Sequence, residues 1–110
     1  MRKTAAILIA SITVLFVPAF AQADGGELYA RRCASCHGKE GDGDTAIGKR
    51  KGLKALGSAE VQAKTDSELA AKIAEGGENG DRQHAYKDKG LSDADVNDLV
   101  TFIRSLARRR

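Results

Sequence analysis

Two cysteines and a histidine lie close together near the start of the chain, in the run Cys33-Ala34-Ser35-Cys36-His37. The spacing puts both sulfurs on one side of a helical turn, and the histidine follows the second cysteine directly. It is typical of c-type haem attachment, in which each cysteine forms a thioether bond to the porphyrin and the adjacent imidazole binds the iron. The sequence therefore predicts one covalent haem c, attached through Cys33 and Cys36, with His37 as its proximal ligand.

Three other uses of this cysteine pair fit the sequence less well. A thioredoxin-like redox pair requires a preceding β-strand, and no alternating β-branched run precedes Cys33. A zinc site requires a fourth ligand, and the only other histidine, His84, does not complete a zinc-finger spacing. A disulfide across two residues closes a loop too short to stabilise the chain much. Haem attachment is the interpretation that uses all of these residues.

The first 23 residues have the pattern of a cleavable signal peptide. Arg2 and Lys3 precede an apolar run over residues 5–17, and Ala21-Gln22-Ala23 is a cleavage site of the small-x-small type. A retained membrane anchor is the alternative, but the run is short for a bilayer span. We expect cleavage after residue 23, a functional domain of residues 24–110, no stable membrane insertion of that domain, and a periplasmic or otherwise extracytoplasmic location.

The predicted domain is almost neutral and poor in aromatic residues. Arg2 and Lys3 account for two of the 18 basic residues, which leaves 16 against 15 acidic ones and a formal charge of +1. This balance does not indicate nucleic-acid binding. The domain contains no tryptophan, and its aromatic side chains are Tyr29, Tyr86 and Phe102. Its apolar core is therefore thin for so small a domain, and a buried porphyrin would supply the missing bulk.

Helix signals recur along residues 24–110, and they predict one all-helical domain. Asp24 can cap a first helix that carries the cysteine pair. Residues 38–57 hold six glycines, which is typical of a loop that wraps around a ligand. Ser58 is expected to start a short helical turn.

Two capping boxes mark the remaining helices. Thr65-Asp66-Ser67-Glu68 begins one of them, and Ser92 with Asp95 begins the last. Apolar residues recur at helical spacing from Val96 to Leu106, and this stripe requires a partner. We expect it to pack on the first helix, with Gly26 allowing the two backbones to approach closely.

Three stretches of the chain resemble the small monohaem class I c-type cytochromes. They are residues 33–43 (CASCHGKEGDG), 65–77 (TDSELAAKIAEGG) and 91–106 (LSDADVNDLVTFIRSL). The resemblance implies the all-α cytochrome c fold, in which the N- and C-terminal helices cross around one covalently bound haem. It also implies single-electron transfer between redox partner proteins. No combination of acid, base and nucleophile in the sequence indicates an enzyme.

The chain departs from that family at the second iron ligand. Family members usually supply a distal methionine from the loop before the last helix, but the only methionine here is Met1. His/Met ligation of the haem is therefore excluded. If Tyr86 is matched to the aromatic residue of the family loop, Gln83 takes the methionine position and His84 follows it.

Two interpretations of this loop remain. In an extended chain neighbouring side chains point in opposite directions, so a strictly family-like loop would aim Gln83 at the iron and turn His84 away. Imidazole is nevertheless the better iron ligand, and loop glycines allow a shift of one residue. We expect His84 to be the second ligand, with Gln83 or water, a surface position for His84, or a deprotonated Lys87 as alternatives. An open or Gln83-occupied site would instead indicate a haem-based ligand sensor or weak peroxidase.

Overall fold

The computed structural model describes residue 9 and residues 11–15, 24–77 and 83–108. The elements of this part of the chain are α1 (Gly25–Arg32), α2 (Ala34–His37), α3 (Ala46–Lys51), α4 (Ala59–Gln62), α5 (Asp66–Glu75), a 3₁₀ turn (Tyr86–Lys89) and α6 (Asp93–Ala107). The described residues form no strand, and the predicted all-α class is confirmed.

Several sequence features fall outside the described residues, namely Met1, the predicted cleavage site, residues 78–82 and the last two arginines. Of the predicted signal peptide, the structure describes only residue 9 and residues 11–15, which are exposed and not helical. None of the described helices is both long enough and apolar enough to cross a bilayer.

Side-chain caps fix where α1, α5 and α6 begin. The Asp24 carboxylate accepts a hydrogen bond from the Glu27 N–H at 2.8 Å. Both predicted capping boxes are formed, at Thr65 for α5 and at Ser92 for α6. Each cap satisfies N–H groups that have no partner within the first turn of a helix. The helix starts are therefore determined by short-range sequence signals.

Helix α3 was not expected. It lies inside the glycine-rich segment 38–57, which we predicted as a continuous wrapping loop, so that prediction is wrong over residues 46–51. The Thr45 hydroxyl accepts a hydrogen bond from the Gly48 N–H at 2.8 Å and so starts the helix. Gly52 ends it in the left-handed conformation, at φ 63°. Thr45 as N-cap and Gly52 as C-cap are ordinary helix signals, but the many glycines of this segment favoured the prediction of a loop.

Helices α1 and α6 cross and form the centre of the core. Leu28 and Tyr29 of α1 and Leu99 of α6 belong to one cluster of buried hydrophobic side chains. A Cβ atom on Gly25 would lie 2.1 Å from the Asp98 carbonyl oxygen, so the two backbones touch there. A Cβ on Gly26 would meet no atom closer than 3.3 Å. The close approach is therefore made at Gly25. The sequence-based expectation that Gly26 makes it is wrong by one residue.

Arg104 ties α6 to the connection between α4 and α5. Its guanidinium donates hydrogen bonds to the carbonyl oxygens of Gln62, at 2.9 Å, and Lys64, at 2.6 Å. It also donates to the Asp66 carboxylate at 2.9 Å. The Gln62 side-chain amide in turn donates to the carbonyl of Ile103 at 3.0 Å. Arg104 thus cross-links α6, the end of α4 and the start of α5.

The helix crossing can be tested with two neighbouring glycines. Gly25→Ala is expected to lower the free energy of unfolding by about 1–3 kcal/mol, because its methyl group would collide with the α6 backbone. Gly26→Ala is the matched control and is expected to leave stability unchanged or slightly raised, since alanine favours a helix. Denaturant unfolding of the haem-containing protein measures both. Equal effects of the two substitutions would contradict the assignment of the crossing to Gly25.

Candidate functional site

The predicted haem-attachment run lies at the junction of α1 and α2. Cys33 ends α1 and leads directly into α2, and the His37 N–H donates to the Cys33 carbonyl at 3.0 Å. Gly38 follows with φ 85°, a conformation that favours glycine, and turns the chain away. The attachment motif therefore forms one helical turn, and the chain changes direction directly after it at Gly38.

A cavity of about 610 Å³ opens beside this turn. Its volume lies within the range of about 300–1,000 Å³ that is usual for small-molecule and cofactor sites. Cys33, His37 and His84 line it, so the structure brings three of the five predicted site residues together. The remaining lining is mostly apolar and comes from α1, α4, α5, α6 and the segment before α4: Tyr29, Leu53, Leu56, Val61, Leu69, Ala71, Ile73, Leu99 and Ile103.

The two histidines face each other across the cavity. Their ring centroids are 6.1 Å apart, and the ring planes are inclined by 40°. Nδ1 of His37 is buried and has no hydrogen-bond partner among the described residues. Burial, and next the nearby His84, lower the pKa of His37 and so favour its neutral imidazole. A neutral imidazole is the form that binds a metal.

This separation suits two imidazoles on opposite sides of one iron. Metal–nitrogen bonds of about 2.0 Å on both sides, with the distance from each nitrogen to its ring centre, put the centroids about 6 Å apart. The observed distance is 6.1 Å. The cavity size, its apolar lining and the separation of the two rings therefore all fit a haem held between His37 and His84.

The cysteines differ in their surroundings. Cys33 lines the cavity, and burial raises the pKa of its thiol to about 11. Such a thiol is protonated at neutral pH, unlike the low-pKa thiolate of a redox-active pair. Cys36 is half-buried and is not among the described residues that line the cavity, and the two cysteines form no disulfide.

Gln83 and His84 lie on different sides of the loop. Gln83 is exposed and does not line the cavity, whereas His84 is half-buried and does. The Gln83 carbonyl accepts a hydrogen bond from the Lys89 ammonium at 2.9 Å. Ala85, which follows, adopts the left-handed conformation at φ 57° and ψ 39°. The loop therefore presents His84 to His37 and leaves Gln83 outside.

Two tyrosine hydroxyls hold the two ends of the attachment motif. Tyr29 donates to the carbonyl of Gly38, directly after the motif, at 2.6 Å, and this bond is buried. Tyr86 donates to the carbonyl of Arg32, directly before the motif, at 2.7 Å. The sequence places both tyrosines in a thin aromatic core and Tyr86 at the aromatic position of the family loop, but it predicts neither hydrogen bond. Their acceptors could not be predicted, because every residue offers a carbonyl and only the tertiary fold selects one.

Comparison with known proteins identifies the family. The cytochrome c family model matches residues 22–107, which is most of the chain. The chain belongs to the cytochrome c family. The solved structure of KustC0563 c-type cytochrome is similar to it, with 32% sequence identity and a TM-score of 0.65, over 76% of this chain and 96% of that one. No curated protein matches the chain at a significant level.

These findings confirm the cytochrome c fold and the assignment to the small class I c-type cytochromes. This cytochrome accordingly contains one covalently bound haem c with its iron, and its general function is haem-based electron transfer with redox partners. When bound, the haem iron supplies a one-electron couple between its ferric and ferrous states. Members of the family are typically electron carriers, and cytochrome c domains are typically extracytoplasmic.

The buried tyrosine bond leads to a prediction. Tyr29→Phe is expected to lower the free energy of unfolding by about 0.5–1.5 kcal/mol at neutral pH, because one buried hydrogen bond is lost while the Gly38 carbonyl keeps the Gly41 N–H at 3.1 Å. Burial also raises the pKa of Tyr29 above its ordinary value of 10.0. Above that pH the unfolded chain ionises at this residue while the folded chain does not, so the wild type loses stability as pH rises. Tyr29→Phe has no phenol at this position, so its unfolding free energy should fall less than that of the wild type as pH rises.

Denaturant unfolding of the haem-containing protein between neutral pH and pH 11 measures both effects. Tyr86→Phe is the control for stability, since it removes the same kind of bond at an exposed position. A larger loss of stability from Tyr86→Phe than from Tyr29→Phe would contradict the prediction.

Proposed function

We propose that this cytochrome is a periplasmic or otherwise extracytoplasmic electron carrier with a His/His-ligated haem. Cys33 and Cys36 attach the porphyrin, and His37 and His84 bind the iron from opposite sides. Residues 1–23 act as a signal peptide that is removed after Ala23, and residues 24–110 are the cytochrome c domain. Redox proteins, not substrates to be converted, are its partners.

The observation that carries the proposal is the pair of imidazole rings across the cavity. Their centroid separation of 6.1 Å leaves space for one iron between them. The residue at the family's methionine position, Gln83, is exposed and lies outside the cavity. His84 is therefore the side chain that is best placed to close the second coordination position.

The lining of the cavity suits an electron carrier. Buried side chains such as Leu69, Leu99 and Ile103 cover the interior wall, which keeps water away from the bound group. Exposed residues border the opening: Lys54, Lys64, Glu68 and Lys72. The cofactor would thus be shielded on its inner side and approachable at one edge, where a partner protein can dock and exchange an electron.

The start of the domain supports removal of residues 1–23. Asp24 is the N-cap of α1, so the first described helix begins directly after the proposed cleavage site. Cleavage would leave every described contact of α1 with α6 in place. Export also agrees with the family, whose cytochrome c domains are typically extracytoplasmic.

Ligation by His84 predicts a defined spin state. The ferric wild-type protein is expected to be low-spin at neutral pH, because two imidazoles make a strong ligand field. His84→Ala should give a high-spin or water-ligated protein that binds cyanide or azide readily. Gln83→Ala is the matched control, one residue away and exposed, and should keep the low-spin spectrum. Visible absorption and electron paramagnetic resonance spectra of the three proteins measure the effect.

The same spectra decide between the two function classes. A wild-type ferric protein that is already high-spin, and unchanged by His84→Ala, would contradict the His/His pair. An open position of that kind would favour a haem-based ligand sensor or weak peroxidase instead. Faster cyanide binding in Gln83→Ala than in the wild type, with no change in His84→Ala, would assign the second ligand to Gln83, whose neutral amide oxygen is a weak-field ligand.

Processing can be tested by mass. In cells that attach haem c and export proteins, the purified product should have the mass of residues 24–110 plus one haem. Cys33→Ala and Cys36→Ala should each reduce attachment, because each removes one thioether bond. Intact-mass spectrometry and tryptic mapping measure the cleavage site and the modified cysteines. A product that lacks the haem increment, from cells that load a control cytochrome, would contradict the attachment assignment.

A further inference from the structure

The segment that carries His84 is fastened to the opposite side of the site by Tyr86. The Tyr86 hydroxyl donates to the Arg32 carbonyl at 2.7 Å, and Arg32 is the last residue of α1, directly before Cys33. One hydrogen bond therefore joins the residue two positions after His84 to the residue next to the attachment motif. It connects the two histidines through a short path of backbone and one side chain.

The Tyr86 ring also contacts its own loop on two sides. Its edge meets the His84 ring, with centroids 6.5 Å apart and planes inclined by 67°. The Lys89 ammonium lies 4.7 Å from the centre of the Tyr86 ring, within the range of a cation–π contact. Lys89 also donates to the Gln83 carbonyl at 2.9 Å, which closes residues 83–89 on themselves. The ring is thus held between the proposed ligand and a cation.

Ala85 shows that this arrangement is imposed on the loop. Among the described residues it is the one non-glycine residue with positive φ, at 57°. A side chain with a Cβ atom rarely adopts this conformation, which persists only where the surroundings hold it. Its neighbours on either side, His84 and Tyr86, make the ring and hydroxyl contacts that can do so. The unfavourable backbone lies directly between the proposed ligand and its fastening point.

We propose that Tyr86 is the positioning residue for His84. With Ala85 and Lys89 it forms a distal clamp that holds the His84 imidazole at its distance from His37 and slows its release from the iron. This inference rests on the proposed His/His ligation. It adds a role for a residue that is not an iron ligand: Tyr86, which also lines the cavity, sets how easily a small external ligand can replace His84.

The test is the rate at which cyanide binds to the ferric, haem-containing protein at neutral pH. Cyanide can bind only after His84 has left, so the rate reports its release. Tyr86→Phe keeps the ring against His84 and Lys89 and removes only the hydroxyl bond to Arg32. It is expected to stay low-spin and to bind cyanide roughly three- to tenfold faster, the fold-change of one lost neutral hydrogen bond.

Gly25→Ala is the control for general loosening. It destabilises the helix crossing, and Gly25 does not contact the distal clamp or line the cavity. Its cyanide-binding rate should stay within about twofold of the wild-type rate. Its loss of unfolding free energy, however, should be at least as large as that of Tyr86→Phe, which removes one exposed hydrogen bond. This pair of variants separates local positioning of His84 from overall stability.

Each outcome has one meaning. A low-spin wild type with faster cyanide binding in Tyr86→Phe alone supports the clamp. A low-spin wild type with an unchanged rate in Tyr86→Phe overturns the clamp and leaves His84 ligation intact. Equal acceleration in Gly25→Ala also overturns it, because the effect would then follow stability. A high-spin wild type overturns the ligand pair itself, and the clamp with it.

Discussion

The interior of this domain is shared between side chains and a cavity of about 610 Å³, and the rest of the structure depends on that cavity being filled. Tyr29, Leu99 and Ile103 belong to the hydrophobic cluster and line the cavity at the same time. Without a bound group these side chains would face water and lose van der Waals contacts on one side. The haem is therefore a structural component of the core as well as the redox group.

Three hydroxyl groups from outside the attachment motif hold it in place, two of them nine residues from their acceptors and one 54 residues away. Helix α2 has four residues, too few to pair its own backbone carbonyls. Thr45 donates to the Cys36 carbonyl at 2.7 Å, Tyr29 donates to the Gly38 carbonyl, and Tyr86 donates to the Arg32 carbonyl. The carbonyls before, within and after the motif are thus paired from α1, the start of α3 and the 3₁₀ turn. A local sequence pattern acquires a rigid geometry only through this tertiary support.

The parts of the structure that the sequence predicts are those governed by short-range signals. The capping boxes at Thr65 and Ser92 each involve residues three positions apart, and both helices begin where expected. The crossing of the first and last helices followed from the apolar stripe of α6. The prediction of the contact glycine was wrong by one residue, since Gly25 and not Gly26 touches α6. The angle at which two helices meet depends on packing that no local pattern encodes.

The side-chain contacts of the site were harder to predict. Alternation in an extended chain favoured Gln83 over His84, but Ala85 adopts a left-handed conformation and the loop presents His84 to the cavity instead. The sequence also predicts no partner for Arg104, although its guanidinium binds two carbonyls of the α4–α5 connection. In both cases the contacting residues are far away in sequence, so their identity depends on the complete fold.

The order of these elements along the chain has a consequence for biosynthesis. The attachment motif follows α1 near the start of the domain, whereas α6, which supplies Leu99 and Ile103 to the cavity wall, comes last. In a chain that emerges N-terminus first, both cysteines precede the residues of α6 that enclose them. Haem attachment at that stage would take place on an open chain, and the packing of α6 against α1 would follow it.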